Sequence, residues 1–406
     1  MRSRPARSSG LSRASSSSRS PASGVASVVL TAGEAYALVD ARARRVDYAP
    51  PRGAVGERSA AEESHGGGIL LHESRAGSAG RRARTSSAAL AAILAAALLV
   101  ACGGEGSGGG AKSGEGGRLS IATGGTSGVY SVYGGGLADA ISKNLKGYQA
   151  TAETTSASVD NLLLIQDGGS DIAFTLADTA IDAASGNEAF KEKVPLRALA
   201  QIYTNYTQVV AKQGSGIETV EDLKGKRVSV GSPNSGTEVI ALRILEAAKL
   251  DPESDIKREQ LGVEESAKGM KDGSVDAFFW SGGLPTGAVT DLTTTQKVTM
   301  LPTTDFTDAL VEKYGEAYAD TKIPADTYKG VSEDVETIGV PNYLVVNEKM
   351  DEKLAFDLTK LLYDQKPTLV KVHPEAKKLD QKLGPEVAEP VQLHPGAQRY
   401  YDEAGK

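Results

Sequence analysis

Three short stretches combine glycine with hydroxyl side chains: Thr123-Gly124-Gly125-Thr126-Ser127-Gly128-Val129-Tyr130, Gly231-Ser232-Pro233-Asn234-Ser235-Gly236-Thr237 and Trp280-Ser281-Gly282-Gly283-Leu284-Pro285-Thr286. Each follows an apolar run and precedes a helical pattern. Glycine lets backbone approach a ligand closely. Free N–H groups and the dipole at a helix start favour an anion, and Ser and Thr add donors that suit a carboxylate. Any one stretch is equally an ordinary strand-to-helix turn with a capping hydroxyl. Three of one kind point to a ligand site. The spacing does not fit a nucleotide: there is no G-x-x-x-x-G-K-[ST], and 124–128 supplies only G-G-x-x-G in place of G-x-G-x-x-G.

Covalent hydrolysis needs a base beside a nucleophile. Beyond residue 102 the only histidines are His373 and His394, and neither G-x-S-x-G nor H-E-x-x-H occurs. Two isolated histidines do not make a zinc set. Asp178 and Asp182 lie four apart and read as solvated helix charge. We therefore expect no enzyme, no metal and no cofactor. With a single cysteine, Cys102, no disulfide can form within the chain.

Composition is uneven along the 406 residues. Residues 1–101 hold 14 of the 45 basic residues, all Arg, but only 7 of the 52 acidic ones. The remainder is strongly acidic. It has no electrostatic footprint for nucleic acid or for an anionic membrane surface.

In RRARTSSAALAAILAAALLVACGG (81–104), Arg81, Arg82 and Arg84 precede an unbroken apolar run over 88–101. The run is short for a bilayer span of about 20 residues and suits the apolar core of a secretory signal. Leu99-Val100-Ala101-Cys102 resembles a bacterial lipobox. That implies a signal peptide over 81–101, acylation of Cys102 and a lipid anchor to the membrane. The alternative is a buried Ala/Leu helix with a chance cysteine. Signals begin near an N-terminus, so residues 1–80 are expected to be disordered and to reflect a misassigned start. No Met lies between Met1 and Met270, so the start would be a non-ATG codon, with Leu70, Leu71 or Val55 as candidates. Residues 102–117, mostly Gly and Ser, read as a flexible tether spanning roughly 20 Å.

The elements that position the three turns follow from periodicity. Strands are expected at 118–123, 148–155 and 170–175, and helices at 133–145, 158–169 (with a Ser cap) and 177–185. A long strand-like run covers 196–212. Residues 220–250 restart a strand-loop-helix scheme, and 275–292 give strand, glycine turn and helix start. Another strand covers 335–347, and 352–406 are mainly helical. Strands alternating with helices imply an α/β fold with mostly parallel sheets. Two such sets joined by two long strands imply two lobes, two hinge crossings and a cleft: lobe I over 118–205, lobe II over 206–335, and a return crossing with C-terminal helices over 336–406.

ATGGTSGVY (122–130), TTSASVDNLLLIQDGGSDIAF (154–174), DLKGKRVSVGSPNSGTE (222–238), DGSVDAFFWSGGLPTG (272–287) and LHPGAQRYYDEAG (393–405) occur in this order. Together they resemble the TAXI family of substrate-binding subunits of TRAP transporters, over about 118–406. The resemblance implies a two-lobed, type-2 periplasmic-binding-protein fold. It implies capture of a small organic anion, glutamate- or glutamine-like or a dicarboxylate such as 2-oxoglutarate. It also implies delivery to a TRAP-type permease driven by an ion gradient. With the anchor, that places the protein outside the cytoplasm, on the outer face of the cytoplasmic membrane. A ligand sensor of the same fold feeding a signalling membrane partner is the alternative, and an envelope hydrolase a third reading.

Carried onto this chain, the resemblance implies a pocket of Thr126, Ser127, Gly128 and Tyr130 with Ser158 and Asn161 in lobe I. Facing them are Ser235, Gly236 and Thr237, with Trp280, Ser281 and Gly282, in lobe II. Where the family often has G-x-Y-Y-P, this chain has Gly128-Val129-Tyr130-Ser131-Val132, and Asn234 stands where a small residue is common. Tyr130 either covers the ligand and offers its hydroxyl or is a core aromatic. Trp280 is either cleft wall or core, and Asn161 either reads the ligand or holds local backbone. No Arg or Lys lies within the three turns. Arg197 and Lys212 flank the first crossing as candidate cations. His394-Pro395-Gly396-Ala397 reads as packing.

Overall fold

The computed structural model describes residues 116–405. Residues 1–80, the expected signal peptide, Cys102 and nearly all of the tether lie outside the described residues.

Lobe I opens with β1 (Gly117–Ala122), α1 (Val129–Asn144), β2 (Tyr148–Glu153), α2 (Ser158–Asp167), β3 (Ile172–Leu176) and α3 (Ala177–Ser185). β1 pairs in parallel with β2 and β3, Leu119 facing Ala150 and Ile121 facing Ile172. β3 is buried along its whole length, as a strand covered on both faces must be. α1 starts four residues earlier than its periodicity alone suggests, because Val129 and Tyr130 are buried beside Tyr133, Leu137 and Ile141.

β4 (Leu196–Lys212) then leaves lobe I. Lobe II follows as β5 (Arg227–Ser229), α4 (Gly236–Ala247), β6 (Lys257–Glu259), α5 (Val263–Asp272), β7 (Ala277–Gly282), α6 (Gly287–Thr295), β8 (Val298–Leu301), α7 (Thr307–Tyr314) and β9 (Ala319–Ile323). β10 (Val335–Asn347) returns, and α8 (Glu352–Asp364), α9 (Lys366–Val372) and α10 (Pro395–Ala404) close the chain. Leu354, Leu358 and Tyr400 from these last helices join the lobe I core around Tyr133 and Phe174. Residues 379–393, expected to be helical, are irregular. Gly384, Pro385 and Pro390 break that run, and Leu393 instead bridges Ala198 of β4.

The fold is a two-lobed α/β architecture built on one sheet of order β2-β1-β3-β10-β4-β7-β5-β6, with β8 on β4 and β9 on β10. The expectation of mostly parallel pairing holds only inside the lobes. β10 runs antiparallel to β3, β4 and β9, and β4 antiparallel to β7 and β8. The cause is the hinge itself: a strand that crosses and a strand that returns run in opposite directions. β10 pairs with β9 through Gly339 and with β3 from Asn342. Pro341 sits at that changeover, opposite Thr204. The β4–β10 ladder carries two register shifts, one leaving Ile202 and the other Leu199 as the extra residue on β4.

Asp178 and Asp182 are not solvated helix charge. Both are buried. Arg243 of α4 crosses from the other lobe, its Nη2 2.6 Å from Asp182 Oδ2 and its Nη1 3.7 Å from Asp178 Oδ2. The Tyr318 hydroxyl donates to Asp178 at 2.9 Å and accepts from Arg243 at 2.7 Å. A four-residue spacing puts two carboxylates on one helix face, but only the fold shows that this face is covered.

Candidate ligand-binding cleft

A cavity of about 290 Å³ lies between the lobes, near the small end of the range of roughly 300–1,000 Å³ for small-molecule sites. It is walled by 124–130, 154 and 156–158 from lobe I and by 231–232, 235–237, 261–265 and 280–282 from lobe II, with Leu176, Tyr203 and Asn205. Of the residues expected from sequence, Thr126, Ser127, Gly128, Tyr130, Ser158, Ser235, Gly236, Thr237, Trp280, Ser281 and Gly282 all border it. Asn161 does not.

Asn161 lies beneath the wall. Its Nδ2 donates to the carbonyls of Thr123 and Phe174, each at 2.7 Å, and its Oδ1 accepts from Thr155 at 2.6 Å. With its amide hydrogens spent on backbone, it positions the first turn and does not read a ligand. Ser158, expected as a helix cap, is also placed differently. The N-cap of α2 is Ala157, whose φ of 90° is a conformation that side chains other than glycine rarely adopt. The Thr155 hydroxyl holds it there, accepting the Ala157 N–H at 3.0 Å.

The starts of α1 and α4 face the cavity from opposite lobes. Gly128 caps α1 with no side-chain bond. Ser235 caps α4, its Oγ accepting from Glu238 N–H at 3.1 Å. Gly231 makes the second turn possible: its φ is +105°, and a Cβ there would lie 2.8 Å from Thr237. The third turn contributes less than expected. Its strand end, 280–282, borders the cavity, but the start of α6 does not, because Thr286 is turned inward to accept from Trp280 Nε1 at 2.8 Å. The start of α5, Leu261 to Glu265, takes that place.

Four of the wall hydroxyls share one arrangement. Ser158 Oγ accepts from Leu176 N–H at 3.2 Å, and Thr237 Oγ1 from Ser281 N–H at 3.1 Å. Ser281 Oγ accepts from Asn205 Nδ2 at 3.2 Å, and Ser235 Oγ from Glu238 as above. A hydroxyl carries one donor and two acceptor positions. Each oxygen is therefore oriented by a protein N–H; the protons of Ser235, Thr237 and Ser281 are left to donate, while the Ser158 hydroxyl also serves the Tyr130 phenol. Together with helix starts from both lobes, this is chemistry for an oxyanion.

Charge at the wall is one-sided. Among the described residues no Lys or Arg borders the cavity, whereas Glu264 and Glu265 do. Arg197 instead pairs with Glu348 at 3.5 Å, and Lys212 is exposed at the end of β4. Neither supplies the expected cation. Tyr130 is buried, and burial pushes its phenol well above the usual value. Its hydroxyl donates to Asn342 Oδ1, and Asn342 Nδ2 donates to Asn205 Oδ1 at 2.9 Å. Asn205 reaches Ser281, so one chain of hydrogen bonds runs under the cavity from α1 to β7. Trp280 is both wall and packing: a Cβ on Gly128 would meet its ring at 3.6 Å.

Sequence reading missed Tyr203, Asn205 and the start of α5. Tyr203 and Asn205 had a signal, being polar-tipped residues two apart in an apolar run, which share one strand face. Gly262 followed by Val263-Glu264-Glu265 also reads as a helix start with acids in its first turn.

Among solved structures the chain is similar to the periplasmic aliphatic sulphonate binding protein SsuA from Escherichia coli, at 15% identity and a TM-score of 0.39, over 71% of this chain and 84% of that one. It is also similar to the alkanesulfonate-binding protein SsuA from Xanthomonas axonopodis pv. citri, at 16% identity and a TM-score of 0.38, over 72% of this chain and 85% of that one. A structure from glutathione import in Streptococcus mutans matches at 14% identity and a TM-score of 0.43, over 65% of this chain and 97% of that one. The family model for NMT1-like proteins matches residues 121–405, which takes in both lobes and every wall of the cleft, and the chain belongs to the NMT1-like family.

Proposed function

We propose that this protein is an extracytoplasmic solute-binding receptor of a TRAP transporter of the TAXI type. It captures a small organic acid between its lobes and hands it to an ion-gradient-driven permease, held at the membrane by a lipid on Cys102. The observation that carries the reading is the meeting of helix starts and oriented hydroxyls from both lobes on one small cavity. The ordered motifs resembling the TAXI family support the transporter type. The apolar run ending at Cys102 supports the anchor.

The wall charges narrow the ligand. One carboxylate is served by the N–H groups and hydroxyls. A second negative charge meets no cation, only Glu264 and Glu265. An ammonium group meets two carboxylates. The expected order of affinity is therefore L-glutamine, then L-glutamate, then 2-oxoglutarate and succinate. Thermal shift and calorimetry with these four acids test it. A ligand at a hundred times its Kd stabilises by about 2.7 kcal/mol. Silence toward all four would sink the reading.

A further inference from the structure

We infer that Tyr203 is a specificity-determining residue of the cleft, its phenol donating a hydrogen bond to an acceptor oxygen of the bound acid. This rests on the reading of the cleft as an organic-acid site. Tyr203 borders the cavity yet is only 3% exposed. Its hydroxyl is buried and has no hydrogen-bond partner in the protein. Buried polar groups are almost always satisfied, and leaving one unmade costs roughly 1–3 kcal/mol. An orphan phenol in the wall of a ligand cavity is therefore a group kept for something else.

Two features separate Tyr203 from the other phenols. Tyr130, the one the sequence pointed to, already donates its hydroxyl hydrogen bond to Asn342. Tyr133 stacks on Tyr203 with ring centroids 6.2 Å apart, but it does not border the cavity. Tyr203 also directly follows Ile202, the extra residue at a register shift in β4. Bulges of this kind bend a strand and re-aim side chains, and they gather next to functional sites. Burial holds the Tyr203 phenol well above its usual pKa, so it stays protonated and acts as a donor at any physiological pH. Its place on the hinge strand means that the contact is made by the segment shared between the lobes.

The test uses the full-length protein, with Tyr203→Phe and Tyr130→Phe compared with wild type. Removing an orphan hydroxyl leaves thermal stability unchanged or raises it. Removing the Tyr130 hydroxyl, which is bonded to Asn342, lowers it. In calorimetry with L-glutamine and L-glutamate, Tyr203→Phe is expected to bind at least tenfold more weakly. A Tyr203→Phe protein that loses stability would show that the hydroxyl has a structural partner, and would overturn the inference. So would unchanged affinity in a variant that folds normally, with the organic-acid reading left standing. Absence of binding by wild type to either amino acid, 2-oxoglutarate and succinate would overturn that reading itself, and the inference with it.

Discussion

Gly236 at the start of α4 lies so close to Ser158 at the start of α2 that a Cβ on residue 236 would fall 2.6 Å from Ser158 Oγ and 2.5 Å from Leu176 Cδ1. The lobes touch here. Beside this contact the Asn234 carbonyl accepts the Val159 N–H at 3.2 Å, so a turn of lobe II caps a helix of lobe I. Gly236→Val should prop the lobes apart without damage to either. The expected outcome is a larger radius of gyration in solution scattering and an affinity for the bound acid lower by roughly tenfold, or ~1.4 kcal/mol. An unchanged radius with unchanged affinity would show that closure does not need this approach.

The Arg243 pair tests a second joint between the lobes. Removing one partner of a buried ion pair leaves an uncompensated charge, at a cost of about 3–5 kcal/mol. Arg243 is 5% exposed and faces two carboxylates, so Arg243→Met should fall in that range in urea unfolding. Replacing Asp178 and Asp182 by Asn in the same protein should recover most of the loss, since the charges that need Arg243 are then gone.

Ala157 makes the opposite prediction. A side chain at φ 90° stores strain, of order 1–3 kcal/mol at such positions. Ala157→Gly should stabilise the protein by about 1 kcal/mol in chemical denaturation, part of the gain being offset by the freer unfolded chain. A loss of stability would mean that the Thr155 contact already removes the strain.

Acid should weaken the C-terminal docking through His394. Its Nδ1 accepts the Gly396 N–H at 3.2 Å and so caps α10, while Nε2 lies 3.1 Å from the Met350 carbonyl. Burial holds its pKa below the usual 6.5, although the Met350 carbonyl pulls the other way. A histidine with a depressed folded pKa contributes stability that is present above pH 6.5 and lost as pH falls below it. Burial raises the Asp182 carboxyl while Arg243 pulls it back down, and the raise acts in the opposite sense, its contribution being lost as pH rises through the folded value. The readout is therefore a difference. Wild type should lose more stability than His394→Asn, which keeps a capping oxygen, between pH 7 and pH 5.

Glu264 and Glu265 make ligand choice adjustable. Glu264→Gln with Glu265→Gln removes two negative charges from the cavity wall. The ratio of affinities for L-glutamine and 2-oxoglutarate should shift toward 2-oxoglutarate by about tenfold, less at high salt because both side chains are solvent-exposed. A ratio that does not move would assign these acids to the dipole of α5 alone, where first-turn carboxylates are stabilising anyway.

The lobes and their crossings were legible because periodicity is a local property. β4 is a 17-residue strand-like run that no short turn interrupts, and glycine marks the bend before α1 and α4. What was not legible depends on covering. Asp178 and Asp182 look solvated until α4 is laid over them. Asn161 has the side chain of a ligand reader, yet its amide is consumed by Thr123 and Phe174, and no spacing rule reports that. β6, at three residues with an exposed, intermediate and exposed pattern, carries no apolar signal at all. The third turn repeats the chemistry of the first two, but its Thr286 is captured by Trp280, a contact set by rotamers.

Pro341 has a mechanical consequence. Between Gly339 and Asn342, β10 has neither β9 nor β3 on its outer side, and proline there leaves no amide unpaired. The sheet is thus at its narrowest, and its ladder of hydrogen bonds thinnest, next to the strand residues that floor the cavity. Flexural compliance concentrates at that line. The fulcrum and the cavity floor coincide, so bending the molecule changes the curvature of its recognition surface as well as the gap above it.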